Sequence, residues 1–177
     1  DLDKALELNP KYVGAWLKRG NLLVAEGKAK KAVEDYDRAI NLDPNNAEAF
    51  NNRGWAKADL GHLDEAMADL TRALELDPKF ALALSNRAAV YRKTARNDAA
   101  LTDYTRLLEL KNSDPAIYVA RGSILLDMGR GKDALEDFNR ALQYQPQEPS
   151  ILALRGRARV ITSRYKDAIE DLKVALE

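Results

Sequence analysis

The sequence predicts an all-α protein, a solenoid of stacked antiparallel helix pairs. One set of residue types recurs every 34 residues along the 177-residue chain. Within each interval, two segments carry apolar or small residues at the 3.6-residue spacing of a helix. A single helix pair cannot bury its apolar face alone, so neighbouring pairs are expected to stack on one another.

An arginine followed by a small residue marks each repeat, and an aspartate follows sixteen residues after it. The arginines are Arg19, Arg53, Arg87, Arg121 and Arg155. The aspartates are Asp35, Asp69, Asp103, Asp137 and Asp171. The interval predicts one array over 1–177, with repeats at 13–46, 47–80, 81–114, 115–148 and a truncated 149–177, preceded by the tail of an earlier repeat at 1–12.

The first helix of each repeat is predicted from the segment "VGAWLKRGNLLVAE", in which Trp16, Gly20 and Leu23 share one face. In the fourth and fifth repeats Pro115 and Pro149 open this helix, where proline is favoured. Gly27 and its equivalents Gly61 and Gly129 mark the turn that follows, because glycine adopts the left-handed conformation that ends a helix. Ala95 and Ser163 replace this glycine, so we expect those two turns to be built differently.

The second helix is predicted to place one apolar face against the first. This face contains Ala32, Val33, Tyr36, Ala39 and Ile40, and "LDP" ends the helix. Asn112 stands where the other repeats have this proline. The small residue at Gly20 allows the two helices to approach closely.

The combination of residues resembles the tetratricopeptide repeat. The first repeat shows the pattern in Trp16, Gly20, Ala32, Tyr36, Ala39 and Pro44. The second shows it in Phe50, Gly54, Ala66, Leu70, Ala73 and Pro78. The resemblance covers the whole chain and is greatest to the bacterial style with "RG". It implies a right-handed superhelix whose concave groove holds an extended or helical peptide.

The arginines and aspartates are predicted to pair within each repeat, as Arg19 with Asp35 and so on along the chain. We call these ten residues the charge ladder. Each arginine is also expected to contact the aspartate of the preceding repeat, as Arg53 with Asp35. The alternative is that the arginines bind a phosphate or carboxylate ligand, but a counter-charge that recurs with every arginine favours the structural role.

The sequence contains few of the residues that catalysis and metal binding require, so we predict that the chain is not an enzyme and takes no cofactor or metal. Its only histidine, His62, falls in a turn, and it has no cysteine. With 28 basic and 28 acidic residues the net charge is zero, which disfavours nucleic-acid binding. No run of 18 apolar residues occurs, so we expect a soluble chain without membrane insertion and leave its compartment open.

The groove is predicted on one face of the first helices. It contains Lys18, Asn21, Asn52, Trp55, Asp59, Asn86, Ala89, Lys93, Ser123 and Arg157. The asparagines either bond a peptide backbone or are simply solvated. Trp55 is expected to anchor a ligand or to pack partly buried, whereas Trp16 falls on the packed side. The family's carboxylate-binding clamp is disfavoured because Leu17 and Leu82 stand where its lysines are required.

Two groups of basic residues are predicted to be solvated: the segment "YRKTAR", and Arg155, Arg157 and Arg159. Lys57 and Arg159 occupy a position that is normally apolar. Packing there is expected to be looser, or to be rescued by burial of the aliphatic stems.

These observations favour a non-catalytic scaffold that binds a protein or peptide partner. Two alternatives stay open. The array could self-associate through apolar faces exposed at its ends. It could also be the substrate-recruiting part of a larger enzyme, because its abrupt ends are expected of a piece of a longer array.

Overall fold

The computed structural model describes residues 1–110 and 114–176, and every regular element within them is a helix. Asn112 and Glu177 therefore lie outside the described residues. The helices are α1 (Leu2–Leu8), α2 (Val13–Ala25), α3 (Ala29–Leu42), α4 (Ala47–Asp59), α5 (Leu63–Leu76), α6 (Ala81–Lys93), α7 (Asn97–Leu110), α8 (Pro115–Asp127), α9 (Gly131–Tyr144), α10 (Pro149–Ile161) and α11 (Tyr165–Val174). The all-α prediction is confirmed, and α8 and α10 begin at the predicted prolines.

The helices form two compact units. Unit 1 covers Asp1–Thr94 and unit 2 covers Ala95–Glu177. In unit 1, α2 with α3 and α4 with α5 form antiparallel hairpins, and α3 packs on α4 as α5 does on α6. The first helices α2, α4 and α6 also contact one another in sequence. In unit 2, α8 with α9 and α10 with α11 form the hairpins, α7 packs on α8, and α9 packs on α10.

Five turns that follow a first helix use the same left-handed backbone conformation. Gly27 has a φ of 73°, Gly61 of 83° and Gly129 of 73°. Ala95 and Ser163 have φ values of 56° and 61°. The expectation that these two turns are built differently is therefore wrong: Ala95 and Ser163 adopt the left-handed conformation although they carry a Cβ, which strains the backbone there.

Glycine in the middle of the first helix is explained by contact with the second helix. A Cβ at Gly20 would lie 2.5 Å from Cε1 of Tyr36, and one at Gly54 would lie 2.9 Å from Cγ of Leu70. Real side chains do not approach so closely, so a larger residue would force the hairpin apart. The glycine after the arginine therefore sets the spacing of the two helices.

The core of the first hairpin follows the predicted face. Ala32, Tyr36 and Ala39 are buried, and Val33 and Ile40 pack against them. Trp16 is half-buried beside this cluster, and its indole N–H donates a hydrogen bond of 2.8 Å to the carbonyl of Pro10. In unit 2 the equivalent cluster centres on Phe138. The apolar core of each unit therefore lies between its packed helices.

Candidate functional site

Arginines of the first helix pair with aspartates of the second helix in four hairpins. Each guanidinium donates from Nε and Nη2 to the two oxygens of one carboxylate, at distances of 2.5–2.9 Å. The pairs are Arg19–Asp35, Arg53–Asp69, Arg121–Asp137 and Arg155–Asp171. The four aspartates are buried. The fifth predicted pair, Arg87 with Asp103, has one member in each unit and stays a prediction.

The same arginines also contact the preceding second helix, but not through the predicted aspartate. Arg53 donates from Nη1 to Asp37 at 2.6 Å, so the expected contact with Asp35 is wrong. Asp35 has both oxygens bound to Arg19, whereas Asp37 lies about 200° further around α3 and faces α4. The residues equivalent to Asp37 are Asp3, Thr71, Thr105 and Asn139, which accept from Arg19, Arg87, Arg121 and Arg155.

Two further cations join these clusters. Nζ of Lys57 lies 3.0 Å from Asp69, and Nη1 of Arg159 lies 2.7 Å from Asp171. The aliphatic stems of Lys57 and Arg159 are largely buried, which is one of the two outcomes expected for a cation at this normally apolar position. The prediction of a solvated basic group is therefore wrong for Arg155 and Arg159, while Arg157 is exposed.

The guanidiniums of the paired arginines are already bonded to carboxylates of the same chain. Burial lowers the pKa of Arg53, but hydrogen bonds to Asp69 and Asp37 raise it more, so the net pKa lies above its usual value. For Arg19, the hydrogen bond to Asp35 is the largest cause of the raised pKa. These guanidiniums stay charged, and their bonds are directed at neighbouring helices. They are therefore poorly placed to receive a ligand.

A chain of side-chain amides crosses the first helices of unit 1. Oδ1 of Asn21 accepts from the Tyr36 hydroxyl at 2.7 Å and from Nδ2 of Asn52 at 3.0 Å. Oδ1 of Asn52 accepts from Asn51 at 2.9 Å, and Oδ1 of Asn51 accepts from Asn86 at 2.9 Å. Asn51 is buried and was not predicted. The signal that could have found it is an asparagine at the position where the first repeat has Leu17.

A cavity of about 470 Å³ opens beside this amide chain. It is lined by Asn21, Val24, Tyr36, Glu48, Asn52, Trp55, Phe80 and Leu82. Trp55 is 41% exposed and lines this cavity. We call this pocket the Trp55 cavity. It combines an exposed indole, apolar walls and amides in one recess.

The remaining predicted groove residues lie outside this cavity. Lys18, Asp59 and Lys93 are exposed on the first helices of unit 1, and Ala89 and Asn86 are half-buried there. In unit 2, Ser123 donates its hydroxyl to the carbonyl of Val119 at 2.7 Å, and Arg157 is exposed. Of the ten predicted groove residues, the Trp55 cavity brings together Asn21, Asn52 and Trp55.

The described residues show no arrangement typical of catalysis. His62 is exposed, and its Nδ1 lies 3.8 Å from a carboxylate oxygen of Glu65. Within residues 1–110 and 114–176, no group of three or more His, Asp or Glu side chains could hold a metal ion. Across the same ranges, none of the helices has the length and apolar character needed to cross a membrane.

Comparison with known families assigns most of the chain to one repeat type. A model described as "TPR repeat" matches residues 20–61, and two described as "Tetratricopeptide repeat" match residues 47–80 and 119–177. No curated protein sequence matches the chain.

Solved structures match the chain over nearly all of its length. One is YrrB, described as a TPR protein with an unusual peptide-binding site, with 23% identity, a TM-score of 0.84, and coverage of 99% of this chain and 90% of YrrB. MamA from Desulfovibrio magneticus RS-1 has 19% identity, a TM-score of 0.85, and coverage of 93% of each chain. PilF of Pseudomonas aeruginosa has 23% identity, a TM-score of 0.83, and coverage of 96% and 78%. At these identities the likeness shows the fold.

Proposed function

Because the chain is a tetratricopeptide repeat protein, we propose that it binds a segment of a partner protein at the Trp55 cavity, without chemistry of its own. Its repeat type and its structural neighbours support a role in protein–protein interaction, and one of those neighbours, YrrB, is described as having a peptide-binding site. The proposal treats 1–177 as one repeat array. The Trp55 cavity is the observation that carries it.

Trp55 provides the anchor for a ligand. An indole that is partly exposed beside apolar walls can bury a large area at low cost in side-chain entropy, and tryptophan is enriched among residues that dominate binding energy. Phe80 and Leu82 extend this apolar surface. A partner side chain that enters the cavity would remove all three from water.

The asparagine amides provide hydrogen bonds that orient the partner segment. An asparagine amide nitrogen carries two hydrogens, and Asn52 uses one of them on Asn21. The second can donate to a backbone carbonyl of the partner. Because Asn52 also accepts from buried Asn51, its side chain is held before the partner arrives, which lowers the entropy cost of binding.

The test is a selection of random twelve-residue peptides displayed on phage against the purified chain. Selected peptides are then synthesised, and their affinity is measured for the wild type, for Trp55→Ala and for Leu42→Ala. Leu42 is the matched control, because it is an apolar residue of unit 1 that is 40% exposed and lies outside the cavity. We expect Trp55→Ala to weaken binding at least about tenfold, and Leu42→Ala to leave it unchanged. Selected peptides that bind both variants as tightly as the wild type would contradict the proposal.

A second candidate function is self-association through the outer face of α11. Ile169 is 54% exposed, whereas the residue 34 positions earlier, Leu135, is buried beneath α10. Tyr165, Leu172 and Val174 are also exposed. Another helix of the first-helix type, supplied by a second copy, would bury this apolar face.

Sedimentation velocity over a range of concentrations tests the second candidate. We expect Ile169→Lys to shift the association to higher concentration. Leu42→Lys is the matched control, because Leu42 is 40% exposed on α3 in unit 1. A wild type that sediments as a monomer at all concentrations removes this candidate and leaves the peptide-binding proposal standing.

A further inference from the structure

The Trp55 cavity carries a single negative charge. Among its eight lining residues, Glu48 is the one acidic residue, and neither lysine nor arginine is among them. Tyr36 keeps its proton because burial, with the carboxylates of Asp35 and Glu48 nearby, raises its pKa to about 12. The cavity is therefore lined by one carboxylate and one exposed indole, which lie seven residues apart on α4.

The Glu48 carboxylate has no partner in the described part of the chain. It makes neither an ion pair nor a side-chain hydrogen bond there, in contrast to the buried aspartates of the charge ladder. It lies in the first turn of α4, where the helix dipole favours a negative charge. The carboxylate is therefore available to a ligand.

The chain itself shows which side chain fits between an aromatic ring and a carboxylate. The Cζ atom of Arg19 lies 4.8 Å from the centre of the Trp16 ring while its guanidinium is bonded to Asp35. Arg53 repeats the arrangement over Phe50, at 5.5 Å, with Asp69. A planar guanidinium can stack on a ring and donate to a carboxylate at once.

We propose that the partner segment places an arginine side chain in the Trp55 cavity, with its guanidinium over the Trp55 indole and paired with Glu48. The inference rests on the proposed function and specifies its ligand. The aliphatic stem of the arginine packs on Val24 and Leu82. Binding in a recess partly shielded from water strengthens both the cation–π contact and the ion pair.

Other side chains fit less well. An acidic side chain would be repelled by Glu48. A purely apolar side chain would cover the Glu48 carboxylate without giving it a partner, and removing an unpaired charge from water is costly. Arginine satisfies the charge and the apolar wall together.

The experiment uses the peptides selected against the wild-type chain, with each arginine replaced in turn by citrulline. Citrulline has nearly the shape of arginine but no charge. We expect one arginine in the peptides whose binding depends on Trp55, and its replacement by citrulline should weaken binding to the wild type about tenfold. With Glu48→Gln, the arginine and citrulline peptides should differ much less. With the control Glu170→Gln, an exposed glutamate on α11, the wild-type difference should persist.

A charge reversal provides a second, independent arm. Selection against Glu48→Lys should yield peptides with aspartate or glutamate in place of the arginine. If peptides that depend on Trp55 contain no arginine, or if citrulline leaves their affinity unchanged, the inference is overturned while the peptide-binding proposal stands. If no selected peptide depends on Trp55, both proposals fall.

Discussion

Arg53 donates two parallel hydrogen bonds to Asp69, from Nε at 2.8 Å and from Nη2 at 2.5 Å. This bidentate geometry joins α4 to α5, and the third nitrogen of Arg53 reaches Asp37 on α3. One side chain thus binds three helices. Asp69 also forms an ion pair with Lys57 of α4, so one buried carboxylate binds two cations of the same hairpin, and Arg53 makes the link to α3.

Removing Asp69 should destabilise the chain far more than removing Asp37. The Asp69 side chain is 7% exposed and that of Asp37 is 46% exposed. Asp69→Ala leaves Arg53 and Lys57 without their shared carboxylate, and we expect the free energy of unfolding to fall by about 2–4 kcal/mol. Asp37→Ala should cost less than about 1 kcal/mol, because water replaces an exposed partner. Urea unfolding followed by circular dichroism measures both, and equal losses would show that the buried pair has no special role.

Asn51 should act through its hydrogen bonds rather than through its volume. Asn51→Ala removes the partner of Asn52 and Asn86 and leaves a gap, so we expect a loss of about 1–3 kcal/mol in the free energy of unfolding. Asn51→Leu should cost less, because Leu17 is buried at the equivalent position of the first repeat and the half-buried amides can turn to water. The same urea titration compares the two variants. A larger loss for leucine than for alanine would contradict this account.

Stability should fall in alkaline solution because of Tyr36. Its pKa is raised to about 12 in the folded chain, mainly by burial, against about 10 in the unfolded chain. The unfolded chain therefore releases this proton first, and the stabilisation present below pH 10 is lost as the pH rises towards 12. We expect one of the seven tyrosines to ionise late in an absorbance titration, and Tyr36→Phe to remove that step. A late step that persists in the phenylalanine variant belongs to another tyrosine.

The turns offer a matched pair of substitutions with opposite signs. Ser163 has a φ of 61°, which strains a residue with a Cβ, whereas Gly61 adopts 83° freely. We expect Ser163→Gly to raise the free energy of unfolding by about 0.5–1 kcal/mol, and Gly61→Ser to lower it by about 1 kcal/mol. Thermal unfolding checks both. If both variants lose stability, backbone strain does not control these turns.

Local features of the fold could be predicted because they depend on residues close together in the chain. Proline at the start of α8 and glycine at the turn after α2 act on their own backbone, so pattern and position were enough. Gly20 was predictable for a related reason. A small residue at helical spacing, repeated at a fixed interval, indicates a close helix contact before its partner, Tyr36, is known.

The candidate site was less predictable. The exposed face of Trp55 followed from its position around α4, since 100° per residue gives the direction of each side chain. The cavity, however, also needs Phe80 from the end of the same repeat, Leu82 from the next repeat and Tyr36 from the second helix of the previous one. No pattern within one helix indicates that these side chains surround one space.

By itself, the sequence determined that this chain is a set of helix pairs, that two of the helices begin at prolines, and which face of the helices is apolar. Only the tertiary structure decided that Arg53 reaches Asp37 rather than Asp35, and that buried Asn51 connects the amides of neighbouring helices. The reason is physical. Periodicity specifies the direction of a side chain around its own axis, whereas contact between helices also depends on their relative rotation and shift, which are set by packing of the whole interface.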